Sequence, residues 1–310
     1  MYIHTLLIVG LMFTGLSRPS MAVELEMNKT FTIGLISSKP KKRIKDTRPL
    51  LEYIVEQLPE YNKGKVFVTD SITEMSSMLE SGQVSMVATT LYAALLIEQK
   101  SKANIAALQW KQGVDSYHSI IFTRKNSGID DINDLLGRTI AFEKYSSTSA
   151  FFMPSIYLLE NGFSLQKVQS MKEKPDPNKI GYFFMSDYLR KSSEINMSLW
   201  VFHGRLDAAA FSNLDWADSN STPEKAKEKL KIIAKTEPFT RGLLLTSSKL
   251  SKKTEQSLLT ILFNAEHNDK GVAALTRFKE TKRFSSITEP ILELLEQGRK
   301  HLMDNPEYYQ

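Results

Sequence analysis

The strongest constraint on this chain is its alternation of short apolar runs with longer amphipathic ones. KTFTIGLIS places Phe31, Ile33 and Leu35 at period two, as a strand does. TRPLLEYIVEQL then gathers Leu50, Leu51, Ile54, Val55 and Leu58 on one helical face, with Pro49 expected in the first turn, where a missing N–H costs little. KVFVTD, ITEMSSMLESG, VSMVATT and a helix from about Leu91 repeat the pattern. This order of strand and helix predicts a largely parallel sheet with helices on its faces.

The same grammar resumes after SYHSIIFTRK, with RTIAF, a helix-like run closing on Asn161-Gly162, residues 195–206, and DAAAFS. LKIIAKTEPF and RGLLLTSSKL follow, KEKPDPNK reads as a loop, and TEQSLLTILFNAE and ITEPILELLEQGRKHL end the chain as helices. At 310 residues and 42% hydrophobic content the chain can bury one large or two medium cores, and wholesale disorder is excluded. The expected architecture is α/β with two lobes, each a mainly parallel sheet flanked by helices, hinged around a central cleft. Residues 23–120 begin the first lobe, 121–236 form the second, and 237–310 return to the first and add carboxyl-terminal helices. Open α/β sheets bind ligands beyond the carboxyl ends of their strands, so two facing edges make a cleft.

The first residues read as an address. MYIH precedes the apolar run TLLIVGLMFTGL, and Ser20 and Ala22 in SRPSMA are small residues where a signal peptidase cuts. Residues 1–22 are expected to be a signal peptide cleaved after Ala22. No Lys or Arg precedes the run, so an uncleaved anchor is the alternative. The chain has no cysteine, which removes disulfides, thiolate nucleophiles and cysteine metal sites. The bacterial periplasm is the simplest address for it.

The net charge of +5 is mild, and most Lys and Arg are interleaved with Asp and Glu, which argues against nucleic acid as a partner. Lys39, Lys41, Lys42, Arg43 and Lys45 are the main exception. They read as a solvated loop and helix start, or as a patch for anion steering or partner docking.

Four hydroxyl side chains in a row, Ser146, Ser147, Thr148 and Ser149, fall between TIAF and the next helix. One hydroxyl at such a point is a cap, whereas four exceed what capping needs. A helix start exposes free N–H groups and partial positive charge, so convergent neutral donors there suit a tetrahedral oxyanion. Capping and anion binding are the two readings. Phe152, Ile156, Leu159 and Phe163 recur at helical spacing as core, and Pro154 must lie near the first turn or bend the helix.

GRTIAFEKYSSTSAFFMPSIYLLENGF resembles the signature of periplasmic binding proteins of the phosphate/phosphite/phosphonate ABC-transporter family, with the type II periplasmic binding protein fold. There an S-T-S tripeptide at a helix start holds the phosphonate oxygens. TIGLISSKPKKRIKDTRPLLEYI, ESGQVSMVATTLYAALL and FHGRLDAAAFSNLDW are similar to other parts of the family in order and spacing, and GVAALTRFKETKRF resembles its carboxyl-terminal helix pair. The resemblance implies that Ser147, Thr148 and Ser149 bind the oxyanion. It implies first-lobe contacts from Thr89 and Thr90, with Tyr92 nearby as a contact or as helix packing. Ser212, Asn213 and Asp215 would line the second lobe, or else form a polar turn closed by Trp216. It also implies a monomer without cofactor, whose partners are a small anionic ligand and an ABC permease or a membrane sensor. Two positions depart from the aminoalkylphosphonate binders: Thr89 stands where an aromatic is expected, and Glu194 falls near the place of a histidine. A carboxylate beside an oxyanion repels it unless it is protonated, paired or turned away.

Catalysis is the rival reading. The cluster lacks a G-x-S-x-G elbow, although His118 or His203 would serve as a base, and no H-E-x-x-H spacing is present. The expectation is a binding protein, not an enzyme.

Overall fold

The computed structural model describes residues 29–189 and 193–309, so the apolar leader and its expected cleavage point lie outside the described residues. The first sheet takes β1 (Thr30–Ile36), β2 (Lys63–Thr69), β3 (Met86–Thr89) and β4 (Asn104–Lys111) from the first third of the chain. The chain then crosses through β5 (Ser116–Tyr117) to a second sheet. That sheet comprises β6 (Ser119–Arg124), β7 (Thr139–Phe142), β8 (Ser164–Lys167), β9 (Lys179–Phe184), β10 (Ala208–Ser212) and β11 (Leu230–Lys235). The return runs through β12 (Phe239–Thr240), after which β13 (Leu243–Thr246) and β14 (Thr281–Ser285) complete the first sheet.

Strand order is β14-β4-β13-β3-β1-β2 in the first sheet and β11-β6-β10-β7-β9-β8 in the second. β5 and β12 pair antiparallel, with Phe239 opposite Tyr117, so the two crossings run side by side as a ribbon. The two-lobed α/β expectation holds, but each sheet is mixed. β13 enters antiparallel between β3 and β4, and β6 is antiparallel to both β10 and β11. β6 and β13, entered directly from the ribbon without a helical crossover, run against their neighbours, and the edge strand β14 also runs antiparallel to β4.

β1 is buried along most of its length because helices cover both faces of its sheet, and the residues between its apolar ones, Thr32 and Gly34, are small enough to be buried as well. One face packs against Leu50, Ile54, Leu258, Leu262 and Phe278, and the other against Met75, Leu79 and the helix Leu91–Ser101. The second core continues across to the other sheet. Tyr92 stacks on Phe152 with ring centroids 4.4 Å apart, and Tyr309 meets Phe152 edge-on at 5.3 Å. The helix Glu289–Asp304 closes this side, and Gly298 sets its approach: a Cβ there would lie 2.6 Å from Leu95 Cδ1.

Two local expectations are corrected. The first helix begins at Pro40, not near Thr47, so Pro49 is interior to it. Pro40 pre-organises the first turn, Lys42 bonds Asp46 one turn on at 2.5 Å, and burial of Thr47, Leu50, Leu51, Tyr53 and Ile54 offsets the hydrogen bond lost at Pro49. The basic run is therefore helical. At the other end, GVAALTRFKETKRF is not a helix pair. Its first half belongs to the helix Asp269–Arg277, while residues 281–285 are the edge strand β14, paired with β4.

Candidate functional site

The carboxyl ends of β1, β3 and β7 open onto one cleft of about 390 Å³, lined from the first sheet by Ile36, Thr89 and Thr90 and from the second by Glu143 and Ser146 to Ser149. Ser37 is not part of this wall; its hydroxyl accepts the Lys39 N–H at 3.1 Å instead.

The hydroxyl run is built around an unusual helix start. Ser147 Oγ accepts the Ala150 N–H at 3.2 Å, and the Phe152 N–H reaches back five residues to the Ser147 carbonyl at 3.0 Å. This makes Thr148–Phe152 a π turn, which leads into the helix Met153–Glu160 with Pro154 in its first turn, as expected. Thr148 is only 3% exposed, and its Oγ1 accepts the Tyr92 N–H at 3.1 Å. It thus ties the second sheet to the first-sheet helix Leu91–Ser101, whose cap residue Thr90 makes no side-chain capping bond. The Ser149 side chain lies beside the Tyr117 phenol, and its carbonyl accepts the Ser119 hydroxyl at 2.8 Å. Each of the three residues has a fixed place, and each hydroxyl is both donor and acceptor.

The other predicted residues divide into two groups. Thr89, Thr90 and Asp215 line the cleft with the tripeptide. Tyr92 is fully buried among Phe152, Phe151, Tyr145 and Tyr309, away from the cleft wall. Ser212 accepts the Asp215 N–H at 3.1 Å and donates to the Asp215 carboxylate, so it caps the short helix Asn213–Ala217. Asn213 Oδ1 accepts the His118 N–H at 3.0 Å. Ser212 and Asn213 shape the loop that carries Asp215 and do not face the cleft.

The structure brings charges to the site, of which the basic run had flagged Arg43 alone. Arg43, Lys111, Arg241 and Lys279 share the cleft with the hydroxyls. Arg43 comes from the basic run, while the other three stand at the end of β4 and just before β13 and β14, far apart in sequence. No local motif announces them. Burial, then the neighbouring Lys111 and Arg43, pushes the Lys279 ammonium down to about 7. Lys111 is lowered by burial and then by Arg241 and Arg43. On the opposite side, burial raises Glu143, which lies 3.5 Å from Lys144. Glu194 also lines the cleft, and burial together with Glu143 and Asp215 pushes it up to about 7. Protonation at and below about pH 7 therefore lessens the repulsion expected of a carboxylate at this position. A neutral Glu194 presents an O–H donor, as the missing histidine would present an N–H.

Comparison with known proteins agrees with this geometry. XAC2383 from Xanthomonas citri, in structures bound to chloride ion and to ATP, is 28% and 27% identical, with a TM-score of 0.81 in both cases. The alignments cover 89% and 91% of this chain and 99% of that one. PhnD1 from Prochlorococcus marinus, in complex with methylphosphonate, shares the fold at 16% identity and a TM-score of 0.61, over 89% of this chain and 98% of the other. Residues 33–290 match the family described as "ABC transporter, phosphonate, periplasmic substrate-binding protein". The chain belongs to this family of periplasmic substrate-binding proteins of phosphonate ABC transporters, which bind and do not catalyse.

Proposed function

We propose that the protein captures a small oxyanion of the phosphonate, phosphite or phosphate kind in the cleft between its two sheets and delivers it to an ABC importer. The observation that carries this reading is the Ser147-Thr148-Ser149 wall at a helix start, set in a cleft that also holds Arg43, Lys111, Arg241 and Lys279. Neutral donors and a helix start stabilise a tetrahedral anion, and the cations draw it in. Thr89 and Thr90 add donors from the first lobe. Glu194 in its protonated form adds one from the second. Chloride and ATP, bound by XAC2383, are both anions, which is compatible with this reading.

The lobes would comprise residues 23–120 with 237–310, and residues 121–236, and would close about the β5–β12 ribbon. Residues 1–22 would be removed on export, leaving Val23 as the amino terminus of a monomer. Mass spectrometry of periplasmic protein tests the cleavage, and an intact Met1 there overturns it. For the ligand, a thermal-shift panel of phosphate, phosphite, methylphosphonate, sulfate and acetate is decisive. A rise in melting temperature with a phosphorus oxyanion and none with acetate is expected. Stabilisation by acetate alone would place the ligand in another class.

A further inference from the structure

Five cations line the cleft, and the four that stand apart from the Glu143–Lys144 pair exceed what one small oxyanion on the hydroxyl wall requires. Arg43, Lys111, Arg241 and Lys279 form no ion pair within 4 Å among the described residues. They nevertheless lie close enough to depress one another: Lys111 feels Arg241 and Arg43, and Lys279 feels Lys111 and Arg43. Asp215 and Glu280 act on Lys111 in the opposite sense, but only as minor influences.

The backbone is bent to bring one of these cations in. Lys279 and Glu280 both have φ of 55°, a left-handed conformation that residues other than glycine rarely adopt, least of all twice in succession. Gln112 holds the bend: its N–H donates to the Glu280 carbonyl at 2.8 Å and its side-chain amide to the Glu280 carboxylate at 2.7 Å. The result places Lys279 Nζ 2.5 Å from the Ala88 carbonyl, beside Thr89 at the cleft. Local strain of this kind persists where the surrounding structure enforces it, and it gathers at functional sites. Arg241 adds a second unresolved demand. Its guanidinium lies over the Tyr117 ring at 4.8 Å, and its buried Nε–H has no partner among the described residues.

We propose that Arg43, Lys111, Arg241 and Lys279 form a second anion subsite in the cleft, and that the physiological ligand carries at least two phosphoryl-type groups, one for the hydroxyl wall and one for the cations. The proposal rests on the oxyanion reading of the hydroxyl wall. A cleft of about 390 Å³ has room for both groups, since small-molecule sites begin near 300 Å³. Two linked anionic groups neutralise repulsion that a single anion on the hydroxyls leaves in place.

Isothermal titration of the mature protein with inorganic phosphate and with pyrophosphate, at fixed pH and salt, tests this. Pyrophosphate is expected to bind roughly tenfold more tightly or better. Lys279→Met and Lys111→Gln should each weaken pyrophosphate several-fold more than phosphate and so remove most of that advantage, and Ser149→Ala should weaken both anions. Two lysine variants guard against a change that disturbs the fold, and melting curves identify that case. Equal affinity for the two anions overturns the second subsite and leaves the hydroxyl wall standing. Equal weakening of both anions by the lysine variants also overturns it, since one shared site would then suffice. Failure of both anions to bind overturns the oxyanion reading together with the subsite.

Discussion

Replacing Glu194 by Gln separates its charge from its shape. Burial, with Glu143 and Asp215 nearby, moves the carboxyl from its ordinary 4.5 to about 7. The folded protein therefore holds this proton more tightly than the unfolded chain, and stability falls as pH rises from about 4.5 to about 7. At about 1.4 kcal/mol per pH unit, the loss is about 3 kcal/mol and is complete above 7. Gln is a neutral near-isostere that carries no such cost. The variant should match the wild type near pH 4.5 and be more stable by up to about 3 kcal/mol at pH 8. Urea unfolding at pH 5 and pH 8 reads the difference directly. The amide also keeps a donor in the cleft, so the ratio of variant to wild-type affinity for phosphate should rise with pH. A variant no more stable than wild type at pH 8 would refute the argument that a desolvated carboxyl faces the site.

Other expectations follow from the same coordinates. Lys279, held near 7 in the folded protein, gives the opposite slope: wild-type stability should rise from about pH 7 towards 10.5, and Lys279→Met should flatten that limb of the melting profile. Gly298→Ala should destabilise by up to about 2 kcal/mol, because the overlap of the new methyl with buried Leu95 outweighs the roughly 1 kcal/mol that alanine adds to the helix, and a raised melting temperature would contradict the helix contact. Small-angle scattering should show compaction when a saturating anion is added, since residues of both sheets line the cleft; identical curves would indicate a rigid, preformed site.

Much of this molecule was legible in its sequence. The period-two runs of β1 and the short apolar strands marked the sheets, and the hydroxyl run marked the helix start. Pattern failed where long-range packing outweighed local signals. Pro49 read as a first-turn residue, yet the helix extends from Pro40 because burial of its apolar face exceeds the cost of one lost hydrogen bond. Antiparallel β13 was invisible because strand direction depends on how the chain enters the sheet, and no local pattern records that. The cations of the cleft were hidden for a similar reason. Lys111, Arg241 and Lys279 stand at element ends more than a hundred residues apart at the extremes, and only the topology brings them together. Thr148 shows the reverse case: its residue type was noticed, but its bond to Tyr92 across the two lobes requires the fold.

That bond decides which variant tests the hydroxyl wall most cleanly. Thr148→Val would leave a buried N–H without a partner, and Ser147→Ala would remove a helix cap, so both are expected to lower stability as well as affinity. Ser149 caps no helix, and its side chain lies beside the Tyr117 phenol at the cleft. Titration of phosphate into Ser149→Ala, beside a melting curve, is therefore the direct measurement. Affinity should fall roughly tenfold to a hundredfold, as losing a hydrogen bond to a charged group implies, with little change in melting temperature. Wild-type affinity in the Ser149→Ala protein would mean that the hydroxyl run serves the helix start alone and that the oxyanion is bound elsewhere.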